Sequence, residues 1–255
     1  LEEGTYLSRY AVDLLIASYT MDSKEIYAEN LKTLILNKNT NQNKLYHLIE
    51  ICIECQIDCL VDHDLSYLLK VHTADYDVLS TLISYIQVFK RDKFKEDIYA
   101  LIQSNYPETL KFQMIELLID LYSLEDLDLD FLEKNLKTKK NRVFFEDYLS
   151  FLKNKKCFSP EGLVILQSMF YGDFEDSAKG NNGGLPVLLK SLGNEIAKDK
   201  NVALVVTITL TEKLTKSFIS HVRDNHVFIR LPKYLSRRNA DSFIKRELSL
   251  KRYIK

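Results

Sequence analysis

Three cysteines and a histidine, Cys52, Cys55, Cys59 and His63, form the first group of side chains that could bind a metal. Thiolates and imidazole are the usual zinc ligands, and thiolates also hold iron–sulfur clusters. Their spacing is that of one helix face, so the four side chains would spread over more than about 15 Å along a stripe. A zinc site needs every donor about 2.0–2.3 Å from one point. The pattern therefore favours buried, apolar cysteines and predicts no metal site.

A second group suits phosphate chemistry. Six of the seven glycines lie between residues 162 and 193, and Gly180, Asn182, Gly183 and Gly184 directly precede a predicted helix. Glycines let the backbone approach a phosphate closely, and the free N–H groups of a helix amino terminus favour an anion. The segment matches neither the Walker loop nor the dinucleotide fingerprint. An anion site and a simple tight turn both remain open.

The residues before Pro160 are organised as helices. Leucine and aromatic residues recur there at helical spacing, and Pro107 is the only proline before residue 160. Asp75 and Asn141 are predicted caps, and the aromatic stripes are expected to pack in a core. The pattern predicts an irregular solenoid or bundle without a fixed repeat signature. The predicted helices are 5–19, 23–37, 41–56, 63–71, 75–91, 93–105, 107–123, 128–138 and 141–155.

After Pro160 the pattern changes to short apolar runs bounded by turns. Residues 164 to 170 predict a buried strand, and Leu185 opens an amphipathic helix with the apolar face listed below. Residues 201 to 210 are rich in β-branched side chains and predict a second buried strand. The order strand, glycine loop, helix, strand predicts a βαβ unit with parallel strands. The predicted apolar face of the helix is Leu185, Leu188, Leu189, Leu192 and Ile196.

The stretch from Ser168 to Leu210 resembles the opening of the amino-terminal domain of GT-B glycosyltransferases, most closely the large family that uses nucleotide sugars and retains configuration. The similarity lies in an apolar strand, a loop that ends in Gly183-Gly184, a helix of the family's apolar pattern, and a short strand that ends in Thr. Leu189, Leu192, Gly193 and the run from Val202 to Thr207 also match the pattern. The implied fold is a partial α/β Rossmann-like domain, the amino-terminal half of a GT-B enzyme.

The resemblance implies roles for particular residues. The Gly183-Gly184 loop would face the cleft between two domains, close to the donor phosphates and the acceptor. Asp173 and Asp176 would meet acceptor hydroxyls or a basic group, and His226 would be an acceptor-site residue. The nucleotide sugar is the substrate, and no cofactor is expected. The donor-binding half of the family is not found in these residues, so this chain is expected to be inactive alone.

Composition and charge give the remaining expectations. The chain is 46% hydrophobic and 28% charged, which is typical of folded domains. Without a leader-like start or a membrane-length apolar run, it is expected to be soluble and cytoplasmic. Residues 201 to 255 carry twelve Lys or Arg against four Asp or Glu, a net charge of +8. This basic segment could contact an anionic membrane surface, which suits a lipid-linked acceptor, or could be a solvated face.

The sequence therefore predicts a helical domain at residues 1–157 and a truncated GT-B-like domain at 158–255. The favoured function is sugar transfer from a nucleotide sugar to an acceptor that is a protein, a lipid-linked molecule or a glycan. The helical domain would bind the acceptor, a protein partner or an oligomer mate. Two alternatives remain: a helical scaffold with a non-catalytic α/β tail, and a basic binder of nucleic acid or membrane.

Overall fold

The computed structural model describes residues 24–153, 162–169, 173–176, 184–211 and 217–232. The predicted helix 5–19 and the basic segment after Pro232 lie outside these ranges. The described residues fall into two compact units, 24 to 132 and 133 to 232. Within the described ranges, no helix combines the length and apolar character needed to cross a membrane.

Nine α-helices and a small mixed sheet make up the described part of the chain, which confirms a helical portion together with a partial α/β portion. The helix bounds agree with the predicted segments that lie in this part to within a few residues. Short 3-10 turns lie at Asp92–Phe94, Leu124–Asp126 and Phe174–Asp176. The helices are α1 Lys24–Leu36, α2 Gln42–Glu54, α3 Asp62–Val71, α4 Tyr76–Val88, α5 Lys95–Gln103, α6 Glu108–Leu121, α7 Leu129–Lys134, α8 Lys139–Lys153 and α9 Leu185–Ile196.

Helix α4 is the centre of the first unit. It packs against α2, α3 and α6, and every residue from Asp77 to Gln87 is buried. Asp75 caps α4 as predicted, because its Oδ1 accepts hydrogen bonds from the amides of Asp77 and Val78. A polar link joins α4 to α6 where the Ser80 hydroxyl donates to Gln113 at 2.7 Å. Buried apolar surface surrounds this hydrogen bond. The hydrogen bond therefore fixes the relative orientation of α4 and α6, in addition to the apolar surface that the two helices bury.

Two helices of this unit end in the same way without a glycine. Gln56 follows α2 and Lys90 follows α4, and both have positive φ angles, 52° and 54°. In each case the amide of the next residue bonds back into the last turn: Ile57 donates to the Cys52 carbonyl at 2.8 Å, and Arg91 donates to the Ile86 carbonyl at 3.0 Å. These bonds form Schellman motifs, which reverse the chain direction after the helix.

The second unit is built on a four-stranded sheet in the order β1-β2-β4-β3. The strands are β1 Leu163–Met169, β2 Val202–Thr211, β3 Ile219–Arg223 and β4 His226–Pro232. β1 and β4 each run parallel to β2, whereas β3 is antiparallel to β4. The predicted unit of two parallel strands joined by α9 is therefore confirmed. The hairpin of β3 and β4 was not predicted from the sequence.

The predicted burial of this unit is wrong in two places. β1 lies at an edge of the described sheet, and Val164 and Leu166 are exposed rather than buried. In α9, Leu185, Leu188 and Leu192 are 49%, 60% and 46% exposed. The helix instead turns Pro186 and Gly193 toward the sheet, because the small glycine allows close approach. Apolar periodicity identified the helix but not the face that the sheet covers.

Helix α8, which the sequence grouped with the helical domain, packs on β3 in the second unit. Phe144, Tyr148 and Phe151 surround the ring of Phe218, with ring centroids 5.0 to 5.8 Å apart. The Asp147 carboxylate accepts a hydrogen bond from the Ile219 amide at 3.0 Å. The cap predicted at Asn141 is wrong: the Thr138 hydroxyl accepts from the Asn141 amide, so the helix begins earlier.

Candidate functional site

The carboxyl ends of the parallel strands form one edge of the sheet. Met169, Thr209 and Arg230 lie side by side in one row near that edge, on β1, β2 and β4. α9 connects the end of β1 to the start of β2, so its amino terminus lies at the same edge. In open α/β sheets, ligands bind where strands end and helices begin. This edge is therefore the candidate functional site.

Arg230 dominates the electrostatics of the edge. Its side chain is 1% exposed and forms a two-point ion pair with Asp173, with Nε to Oδ2 at 2.6 Å and Nη2 to Oδ1 at 3.1 Å. Nη2 also lies 3.2 Å from Glu175 Oε1. Nη1 donates to the Ser217 carbonyl and to the Ser220 hydroxyl. The guanidinium charge is thus neutralised within the fold, and Arg230 is occupied by these partners rather than directed to a ligand.

The segment after β1 is held on the sheet by a second contact. The ring of Phe174 stacks on Phe228 with centroids 4.2 Å apart and planes inclined by 20°. Asp173 Oδ1 also accepts from the Glu175 amide at 2.9 Å, which closes a local turn. The ion pair and the stack join the residues that follow β1 to strand β4. Residues 173 to 176 are therefore preorganised beside the amino terminus of α9.

Gly184 is the capping residue of α9, and the direction in which a side chain would extend from it is open. Its φ of −83° is one that any residue can adopt. A Cβ added there would meet nothing within 4 Å. Neither backbone conformation nor packing within the described residues therefore requires glycine at this position. The free space lies at the helix end that carries the partial positive charge.

Of the other predicted site residues, Gly180, Asn182 and Gly183 lie outside the described residues. Asp176 closes the 3-10 turn Phe174–Asp176 beside Asp173, so its backbone belongs to the same edge. Asp173 meets a basic group, Arg230, and the carboxylate is buried in that ion pair.

His226 lies elsewhere in the unit. It begins β4, four residues before Arg230 in the strand, and is 0% exposed beneath α9. Its Nε2 lies 2.8 Å from the Thr207 hydroxyl, and its Nδ1 lies 2.9 Å from the Asn194 side-chain oxygen. Both ring nitrogens are occupied. The structure therefore gives His226 a packing role between sheet and helix, and its predicted contact with an acceptor stays a prediction.

The hydrogen bonds around His226 fix its tautomer. Thr207 Oγ1 accepts from Gln167 Nε2 at 2.6 Å, so its own proton is directed to Nε2 of His226. Nδ1 then carries the ring proton and donates to Asn194. Burial lowers the pKa of His226, and the positive charges of Arg223 and Lys190 lower it further. The ring is therefore held neutral.

Gly193 makes this arrangement sterically feasible. A Cβ at Gly193 would lie 2.5 Å from His226 Cε1 and 2.6 Å from Gln167 Nε2. Only glycine allows the helix to approach the polar side chains so closely. Gly193 also matched the GT-B pattern in the sequence. The close contact with His226 and Gln167 is the physical reason that this position requires a glycine.

Sequence reasoning missed Arg230 and Lys190. A signal for Arg230 was present: a lone arginine inside the apolar run from Val227 to Leu231 indicates a buried charge that needs partners. Lys190 is an exposed cation on α9, and its Nζ lies 6.0 Å from the Phe174 ring centroid. It is thus a charged group close to the preorganised segment.

The amino-terminal end of α9 contains donors that suit an anion. Among the described residues, no group of three or more His, Cys, Asp or Glu side chains could hold a metal ion. The free amides of α9 and the Lys190 ammonium could bind a phosphate. Comparison of the chain with protein-family models, with curated proteins and with solved structures finds no match.

Proposed function

We propose that this chain is part of a glycosyltransferase that transfers a sugar from a nucleotide-sugar donor to an acceptor, and that its second unit belongs to the amino-terminal half of a GT-B fold. One observation carries the proposal: α9 begins at the carboxyl edge of two parallel strands, and the space at its capping residue Gly184 is open. The likeness of the Ser168 to Leu210 stretch to that enzyme class adds a fold-level argument.

Each group at the edge has a role under this proposal. The amides of Leu185 and Val187 in the first turn of α9 bind a phosphate oxygen of the donor, because they lack partners within the helix, whereas Pro186 has no N–H. Lys190 adds a positive charge. The Arg230–Asp173 pair holds residues 173 to 176 in position at this edge of the sheet. Asp176 lies beside the acceptor, while the chemistry of the donor half is supplied by residues outside this chain.

The experiment is equilibrium binding of UDP and of UDP-glucose to the chain, followed by saturation-transfer NMR on the ligand. We expect weak binding that Gly184→Leu reduces at least tenfold, because the leucine side chain fills the open space at the helix end. Lys190→Gln should weaken binding several-fold. Lys198→Gln, at the opposite end of the same helix, is the matched control and should leave binding unchanged.

Circular dichroism of each variant separates loss of the site from loss of the fold. If the folded wild-type chain binds neither UDP nor UDP-glucose, and GDP-mannose also fails, the proposed phosphate contact at the start of α9 is wrong. If Gly184→Leu binds as well as the wild type, binding lies elsewhere and the proposed site is wrong.

A helical scaffold with a non-catalytic α/β tail is the second candidate, and a surface groove in the first unit favours it. The groove lies between α5 and the start of α7, and Lys95, Tyr99, Gln103 and Phe131 line it together with acidic side chains. Tyr99 and Phe131 pack with centroids 5.1 Å apart. Such a groove with aromatic walls suits an extended peptide. Peptide capture by the chain without any nucleotide binding would favour this candidate.

A further inference from the structure

Two thiols in the first unit lie in direct contact. The Sγ atoms of Cys52 and Cys59 are 3.6 Å apart, within hydrogen-bonding distance for sulfur. The sequence predicted both on one helical stripe, and that prediction is wrong. α2 ends at Glu54, and the left-handed residue Gln56 turns the chain back on itself. Cys59 therefore returns to the side of Cys52.

Tyr85 in α4 and Arg91, three residues after the end of α4, fix the backbone on both sides of Cys59. The Tyr85 hydroxyl donates to Asp58 Oδ1 at 2.9 Å and accepts from the Leu60 amide at 3.0 Å. Arg91 Nη2 lies 2.7 Å from both Asp58 carboxylate oxygens and donates to the Leu60 carbonyl at 3.0 Å. The positions before and after Cys59 are thus fixed, which preorganises the contact between the two sulfurs.

The two thiols differ in exposure and acidity. Cys52 is 0% exposed, whereas Cys59 is half-buried. The hydrogen bond from Cys52 lowers the pKa of Cys59, with a smaller contribution from Tyr85, although burial opposes the shift. The same contact and burial raise the pKa of Cys52 well above its usual range. Cys59 is therefore both the more accessible and the more acidic of the two thiols, which makes it the one that an oxidant reaches first.

We propose that Cys52 and Cys59 form a reversible intramolecular disulfide when the chain meets hydrogen peroxide. The Cys59 thiolate attacks one peroxide oxygen and breaks the O–O bond, which yields a Cys59 sulfenic acid and hydroxide. The Cys52 sulfur then attacks the Cys59 sulfur, and the sulfenic oxygen leaves as water with the Cys52 proton. The two thiols lose two electrons in total, and the peroxide is reduced. A dithiol reductant reverses the bond by exchange.

Cys55 provides an internal comparison. It is the third cysteine of the group and is buried, and burial raises the pKa of its thiol. The proposed reaction does not involve Cys55. This inference is independent of the proposed sugar transfer, because it rests on the first unit alone.

The test uses the whole wild-type chain, hydrogen peroxide, and peptide mapping after alkylation of the remaining thiols. Trypsin followed by a protease that cleaves after Glu and Asp cuts at Glu54 and at Asp58. This digestion places Cys52, Cys55 and Cys59 on three different peptides. We expect one cross-linked species, residues 51–54 joined to the peptide that begins at Cys59, and its loss on treatment with dithiothreitol.

Variants check the order of events. Cys55→Ala should form the bond at the wild-type rate. Cys52→Ala should accumulate a Cys59 sulfenic acid that dimedone traps, and it should do so more slowly than the wild type reacts, because the hydrogen bond that lowers the pKa of Cys59 is lost. A cross-link that contains Cys55, or oxidation of Cys59 to the sulfinic acid while Cys52 stays alkylated, overturns the proposal. Wild-type mapping alone decides the matter if Cys52→Ala fails to fold.

Discussion

Arg230 and Asp173 form a buried, two-point ion pair that joins strand β4 to the segment after β1, although 57 residues separate them in the chain. Both partners are nearly excluded from water, with Arg230 only 1% exposed. Loss of one partner would leave the other charge without compensation in a medium of low polarity. The pair therefore determines the conformation of the candidate site.

We expect Arg230→Met to lower the free energy of unfolding by about 3–5 kcal/mol, since the Asp173 charge would stay buried without its partner. Asp173→Asn should also destabilise the fold. The double variant should lose less stability than the sum of the losses in the two single variants, because both changes remove the same interaction. Urea denaturation measures all three. Lys198→Met, which breaks an exposed ion pair, is the control and should show no measurable change. Additive losses in the double variant would contradict a direct coupling.

The contact beneath α9 predicts opposite outcomes for two glycines of one helix. Gly193→Ala should destabilise the chain by about 1–3 kcal/mol, because the new methyl group overlaps His226 and Gln167. Gly184→Ala should change the free energy of unfolding by less than about 0.5 kcal/mol, because its Cβ would meet open space. Thermal and urea unfolding of both variants provide the measurement. Equal effects would show that α9 is not as close to the sheet at Gly193 as described.

The two left-handed helix ends predict a stabilising substitution. Gln56→Gly should raise the free energy of unfolding by roughly 0.5–1 kcal/mol, because glycine adopts a positive φ without the steric penalty of a side chain. Lys90→Gly should gain less, because it loses a charged contact from Nζ to Asp120 at 2.8 Å, whereas Gln56→Gly loses a neutral hydrogen bond from Nε2 to the Ile53 carbonyl at 2.8 Å. Paired denaturation curves of the two variants test the order. A larger gain for Lys90→Gly would contradict it.

The lowered pKa of His226 predicts a dependence of stability on pH. Its usual value is 6.5, and burial depresses it in the folded chain. As pH falls below 6.5, the unfolded chain takes up a proton that the folded chain does not, so the free energy of unfolding falls. One such group changes it by at most about 1.4 kcal/mol per pH unit. The loss ends once pH drops below the folded-state pKa.

Urea denaturation between pH 7.5 and pH 4.5 measures this effect. His226→Gln should flatten part of the acid limb, because glutamine keeps hydrogen-bonding capacity and does not titrate. His72→Gln should remove a separate part, since burial also lowers the pKa of His72. An unchanged pH profile in His226→Gln would show that His226 has the same pKa in the folded chain as in the unfolded chain.

The local features were readable from sequence for physical reasons. The helical segments between residues 24 and 153 followed from apolar periodicity, and the Asp75 cap from its side-chain chemistry. The parallel pairing of β1 and β2 followed from the order of strand, helix and strand. The contact between Cys52 and Cys59 was missed because the helical spacing of the cysteines continues past Glu54, whereas the helix itself ends there. Polar Gln56 gave no sign of a left-handed turn, which glycine usually marks.

By itself, the sequence determined which of the described segments form helices and strands, and that α9 begins directly after Gly184, because these depend on neighbours a few residues apart. Only the tertiary structure decided which face of α9 meets the sheet, that His226 is buried beneath that helix, and that Arg230 binds Asp173. These contacts join residues distant in the chain, and their energies depend on removal of water from both partners at once. No periodic pattern in the sequence contains that information.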